Sequence, residues 1–354
     1  MAFVKAERAL GFDSRLVTLA RNQFGFEEDI CLDLPFMDGR LYRSIRPKFR
    51  SEKQLDVLRK KEDNALAGPK VWSPSGRGEA SAIRIREYLW KKHINEFIES
   101  HDFYGFDLYQ FDGGLGFSRR GKFASELHGR GKKIVCCYLG SDLRKRGVIR
   151  ELDEISDCNF TVEFDHLDLH PHIQYLFFPF DATPYEPFGG SEGRVRVFHS
   201  ATNRYYKGSD HIIETGRRLE EQLGIEFIFM ENTPHAELIR TKQRCDIMID
   251  QITNVGGIGY GVSSLEALAM GLVVCTRLTP EFDAFLPKHP FVNVTPENLY
   301  RSVADLVADA RRRDRLRKQG IDWVTKYHDA KSVAGQMHDV YRERGWFKQQ
   351  YADQ

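Results

Sequence analysis

The chain has 354 residues, with 52 Lys and Arg against 51 Asp and Glu and a formal net charge of +1, so composition offers no electrostatic basis for binding nucleic acid. No apolar run approaches the ~20 residues that span a bilayer, no signal peptide opens the chain, and the six cysteines form neither C-x-x-C pairs nor metal-ligand spacing. A reduced cytoplasmic setting and two domains of ordinary size are expected.

The opening residues 2–10 have a helical pattern and 14–20 (SRLVTLA) read as a strand. An α/β domain ordinarily starts with a strand and a turn, so the first strand is expected to be missing. Residues 21–50 are irregular, and the run 40–61 carries nine basic residues against two acidic ones. That run reads either as a solvated face or as a surface facing a phosphate-bearing acceptor or an anionic membrane, the latter as a peripheral contact at its inner face. From residue 79 a regular alternation sets in: a helix over 80–100, strand FDLYQFD (106–112), a glycine-rich turn with Gly114, and a helix to 129. Strand KKIVCCYLG (132–140) follows, with a helix opening at Ser141-Asp142. Such alternation implies a parallel sheet with crossover helices, and the turns at Gly114 and Gly140 then share one edge. The cluster DHLDLHPH, with His166, His170 and His172, is read as a polar loop, and no metal is assigned.

Apolar runs at 158–164 and 174–180 are followed by FPFDATPYEPFGGSEGR, whose prolines and glycines read as an inter-domain connector. The expected domains are 1–182, 183–335 and a final helix, 336–354, packing back on the first. The second half starts afresh: strand 195–200, helix 209–222, strand 225–230, helix 234–243 and strand 245–250. A glycine loop, a helix, strand 272–276 and strand 289–294 complete the sheet, and three charged helices fill 296–346. The fold class is α/β, two Rossmann-like domains with parallel sheets facing a central cleft.

The residues 245–276, CDIMIDQITNVGGIGYGVSSLEALAMGLVVCT, organise this half. Gly256, Gly257, Gly259 and Gly261 let backbone approach a ligand, and a helix amino terminus beyond them suits a diphosphate. A dinucleotide fingerprint fails because Val262 stands where its third glycine belongs, and the Walker-like GFSRRGK (116–122) ends in Phe123 where a hydroxyl is required. Ser263-x-x-Glu266 also fits a capping box, in which the carboxylate serves only its own helix.

Taken together these segments resemble the retaining nucleotide-sugar glycosyltransferases of the GT-B fold, family 4 type, over nearly all of 194–345 and more loosely over 100–188. The resemblance rests on His199-Ser200 at a strand end, Lys207-Gly208-Ser209-Asp210, the rhythm of ENTPHAELIRTKQRCDIMID (231–250), and the Leu-Glu-Ala-x-Ala-x-Gly run after Gly259. In the first half, Gly140-Ser141-Asp142-x-Arg144 is similar to a turn of the same enzymes. The resemblance implies a metal-independent, cofactor-free hexosyltransferase that moves sugar from a nucleotide-diphosphate donor to a glycan, lipid-linked or small-molecule hydroxyl. Lys207, assisted by Arg204, would neutralise the departing diphosphate. Glu266 would accept hydrogen bonds from the ribose, with Gly257, Gly259, Tyr260, Gly261, Ser263 and His199 completing the donor side. Gly114, Gly140, Asp142 and Arg144 would lie on the acceptor side.

Two positions depart from the family pattern: Ile258 stands where the first of its paired glutamates belongs, and Leu139 where a histidine is frequent. A nucleotide-sugar 2-epimerase and a catalytically silent nucleotide-binding subunit therefore stay open as alternatives.

Overall fold

The computed structural model describes residues 1–21, 27–35, 68–191 and 193–347. The basic run at 40–61 lies outside the described residues. The chain divides into two compact units, 3–176 and 177–354. Among the described residues no helix is long and apolar enough to cross a membrane.

In the first unit, β1 (Val17–Thr18) pairs in parallel with β2 (Ile30–Cys31), a much shorter strand than the seven-residue run read from the sequence. The long helix Arg77–Ser100 leads to a four-stranded parallel sheet of β3 (Leu108–Asp112), β4 (Lys133–Tyr138), β5 (Cys158–Thr161) and β6 (Gln174–Tyr175). These strands lie side by side in chain order. Strand β4 is buried from Ile134 to Tyr138, as its unbroken apolar run requires of a strand covered on both faces. Its core partners include Phe111, Leu127, Leu143 and Leu152. Where a helix was expected after Gly140, the chain makes only a five-residue π-helical turn, Asp142–Arg146. The reason is local: Asp142 Oδ2 accepts from the Leu139 N–H at 3.0 Å, tying the turn back to the end of β4.

The second unit holds a five-stranded parallel sheet built from β7 (Arg196–Ala201), β8 (Glu226–Glu231), β9 (Ile247–Ile249), β10 (Val273–Thr276) and β11 (Val292–Asn293). Its spatial order is β11-β10-β9-β7-β8. After β8 the chain must therefore cross back over β7 to start β9, and the crevice between the carboxyl ends of β7 and β9 is a topological switch point. Within the sheet these strands bury Val197, Phe198, Ile247 and Ile249. Burial locks their register, and so locks the loops that leave them.

The helix Val262–Ala269 is buried from Ser264 onward, beneath the helix Ala310–Tyr327. Gly320 permits the close crossing, since a methyl group there would come within 2.9 Å of Leu268. The proline-rich stretch read as a connector is bonded into this unit: Phe188 N donates to Met270 O at 2.9 Å, and Ser191 donates to the buried Asp246, which Arg317 also pairs.

Candidate functional site

The loop after β7 folds into the four-residue helix Arg204–Lys207, capped by Asn203, whose side chain accepts from Tyr205 N at 3.0 Å. Gly208 ends it in the left-handed region with φ +73°, where a side chain would also strike Ile252 at 2.7 Å. That close approach brings the loop after β9 against Lys207, and Ile252 N donates to Lys207 O at 3.1 Å.

As a result Lys207 Nζ lies 2.6 Å from Asp250 Oδ1, directly beyond the end of β9. Asp250 is buried, and its other oxygen accepts from Ser264 Oγ at 2.6 Å. Burial acts hardest on this carboxyl and pushes its pKa up, but Lys207 and the Ser264 hydroxyl together outweigh it and hold it low.

A second ion pair stands beside the first. Glu266 Oε2 accepts from Lys242 Nζ at 2.7 Å and Oε1 meets His235 Nε2 at 2.6 Å. Lys242 and His235 come from the helix His235–Lys242, seven positions apart and so on one face. Lys242 also donates to Ser263 Oγ at 3.0 Å and to its carbonyl at 3.2 Å. Burial pushes the Lys242 ammonium below its ordinary pKa, against the pull of Glu266.

These bonds decide the capping-box alternative. The helix starts at Val262 rather than Ser263, its cap Gly261 makes no side-chain bond, and the Glu266 carboxylate turns to another helix. Sequence reasoning passed over Lys242, His235 and Asp250. The seven-residue spacing of His235 and Lys242 was the available signal, but nothing local to it names Glu266 as the partner.

The glycine loop is braced by aromatic packing. Tyr260 stacks on Phe291 at 4.6 Å and meets His328 Nε2 through its hydroxyl at 3.1 Å. His328 donates from Nδ1 to Phe178 O at 2.8 Å, and burial drops its pKa to about 4, so Nε2 is a neutral acceptor. Gly259, with φ +89°, lies so close to Phe282 that a methyl group would come within 2.1 Å of the ring. Gly257 and Gly261 flank this braced segment, and Gly261 is exposed at the helix amino end.

The remaining expected site residues divide in two. His199 is fully buried at the end of β7, with Nδ1 on Ile249 O and Nε2 on Ser209 Oγ, both at 2.8 Å, so it ties β7 to β9 and to the next helix. Arg204 is exposed and forks onto Glu231 at 2.7 and 2.8 Å.

In the first unit, Gly114 and Gly140 both have positive φ at the ends of β3 and β4, and Asp142 Oδ2 lies 3.0 Å from where a Gly113 side chain would begin. Arg144 forks onto Asp165 at 2.6 and 3.0 Å and reaches Glu163 as well. In the histidine cluster, His166 bonds Thr161 Oγ1 and His170 bonds Asp153, each at 2.8 Å. Among the described residues no group of His, Cys, Asp and Glu is arranged to hold a metal ion.

No known family model matches the sequence, and no curated protein matches it. Among solved structures the chain is similar to sucrose-phosphate synthase from Thermosynechococcus elongatus, with TM-score 0.51 and 16% identity over 79% of this chain and 82% of that one. It is also similar to HepE from Anabaena in complex with UDP, with TM-score 0.50 and 10% identity over 71% of this chain and 82% of that one. At such identities the likeness is one of fold, and that fold is the α/β, doubly Rossmann-like arrangement of the GT-B glycosyltransferases.

Proposed function

We propose that the chain is a glycosyltransferase that moves a sugar from a nucleotide-diphosphate donor to a hydroxyl group of a glycan, a lipid-linked or a small-molecule acceptor. One observation carries this reading: two lysine–carboxylate pairs, Lys207–Asp250 and Lys242–Glu266, gather at the switch point of the second sheet, beside the amino end of the helix Val262–Ala269. An open α/β sheet binds its ligand at such an edge, and helix N–H groups with adjacent cations suit a diphosphate.

In transfer the bond from the anomeric carbon to the diphosphate oxygen breaks with its electron pair staying on that oxygen, and the acceptor oxygen forms the new bond as its proton passes to the departing diphosphate. Lys207 is suited to neutralise the charge that grows on the departing diphosphate, and Asp250 holds it in position meanwhile. Arg204, on the same short helix, is its proposed assistant once released from Glu231. Glu266 is assigned the two ribose hydroxyls, and the N–H groups of Gly259 to Ser263 the phosphate oxygens. Acceptor recognition is assigned to the turns carrying Gly114, Gly140 and Asp142, with Arg144 holding their shape. Retention of configuration, independence of metal and a cytoplasmic setting belong to the same proposal through the family resemblance. UDP is the first donor base to try, because HepE was solved with it.

The test is a thermal-shift screen against UDP, GDP, ADP and their sugars, followed by measurement of released nucleotide with and without acceptors. Stabilisation by one base and acceptor-dependent release are expected; no response to any nucleotide would sink the reading. One observation favours a second reading, a nucleotide-binding subunit without turnover: Ile258 occupies the position where the resemblance implies a carboxylate at the donor sugar. That reading expects nucleotide binding with no release of sugar.

A further inference from the structure

Lys242 is 1% exposed at the last position of its helix. An ammonium group so deeply buried costs several kcal/mol unless it is paired and fully hydrogen-bonded. Its bonds to Glu266 Oε2, Ser263 Oγ and Ser263 O use all three of its protons. The first turn of the helix Val262–Ala269 is itself an unfavourable place for a cation, since the N–H groups there are electropositive. An apolar side chain would fill the space at lower cost, so stability alone does not account for lysine here.

What Lys242 does accomplish is directional. It grips Glu266 through Oε2, which leaves Oε1 turned towards His235, whose side chain is 67% exposed and has solvent to turn into. We propose that Lys242 is a positioning residue for nucleotide binding: it anchors Glu266 from below, so that Oε1 is presented to the ribose hydroxyls in place of His235. This rests on the assignment of Glu266 to the ribose made above.

The ionisable groups around Glu266 are Lys242 and His235 from one helix and Tyr185 from the stretch before β7, with Asp250 and Lys207 acting on Lys242 beyond. Burial and the Glu266 carboxylate push the Tyr185 hydroxyl up to about 12, so it keeps its proton near neutrality.

The experiment is calorimetric titration of the full chain with UDP and with 2′-deoxy-UDP, comparing wild type and Lys242→Met. Relative to wild type, the variant's affinity for UDP should fall by about tenfold or more while that for the deoxy nucleotide changes little, because positioning acts through the ribose hydroxyls. A lysine that only holds the fold together would lower the melting temperature and leave the affinity of the folded protein unchanged; that result overturns the proposal. An equal loss for both nucleotides overturns it too, because the role proposed acts only through the ribose hydroxyls. Should the methionine variant not fold, Lys242→Gln, which keeps a donor but not the charge, is read by the same criteria. A wild-type chain that binds none of UDP, GDP and ADP removes the proposed function and this inference together, whereas normal binding by the variant removes the inference alone.

Discussion

The two parallel sheets differ in the order of their strands, and their charged residues differ accordingly. In the first unit β3 to β6 follow one another across the sheet, while in the second β7 lies between β8 and β9. A sheet laid down in sequence sends all its crossover connections the same way and leaves no crevice between diverging loops. Arg144, the charged residue drawn to that edge of the first unit, is consumed by Asp165 and Glu163 and serves to hold a turn. At the switch point of the second unit, by contrast, two ion pairs stand side by side at a helix amino end. The surroundings of a basic residue beyond a strand are thus set by the topology as much as by its own chemistry.

Acid should affect both units alike, and it sets the baseline for the other tests. Burial lowers the pKa of His166 in the first unit, and of His199 and His328 in the second, to about 4. The folded state prefers these rings neutral while the unfolded chain protonates them near the ordinary value of 6.5. The stability they contribute is therefore complete above about pH 6.5 and lost as the pH falls towards about 4, at roughly 3 kcal/mol for each group. Asp250 and Asp165, whose pKa values are held low, add to the loss further down. Urea denaturation across this range measures it, and a flat profile would contradict the burial of the rings.

Arg144→Met leaves the buried Asp165 without its partner and should cost the first unit about 3–5 kcal/mol, while UDP affinity of the folded protein stays within about twofold of wild type. Lost UDP binding would break the distinction between the two edges. Gly259→Ala forces a left-handed backbone and a collision with Phe282 at once; about 2–3 kcal/mol of destabilisation is expected in calorimetry, with nucleotide stabilisation reduced as the loop shifts. Lys207→Ala should lower nucleotide release by more than about tenfold, equivalent to about 1.4 kcal/mol, without unfolding the protein. Unaltered turnover would exclude Lys207 from the chemistry. The smallest change belongs to Arg204→Ala, since its pair with Glu231 is exposed and screened by solvent: the melting temperature should stay at the wild-type value in thermal unfolding.

Most of the second sheet was legible in the sequence. Short apolar runs at 195–200, 225–230, 245–250 and 272–276 became β7 to β10, offset by a residue or two at their ends; β9, buried throughout, is apolar on both faces. The first unit was less legible. Its strand read over 14–20 survives as two residues, and the helix expected after Gly140 is a single turn held by Asp142. Side chains that bond back to nearby backbone compete with regular structure in ways that periodicity does not register.

By itself, the sequence determined most elements of the second unit and raised the expectation that the glycine-rich loop, with Lys207 and Glu266, forms a nucleotide site, because apolar periodicity and backbone freedom are local properties. Only the tertiary structure decided what those charges do. Glu266 had a plausible partner three residues away in Ser263, and its actual partners lie 24 and 31 residues distant, at Lys242 and His235. Lys207 likewise finds Asp250 43 residues along the chain. Charge pairing acts through space, and the order in which strands are laid into a sheet is what sets those distances.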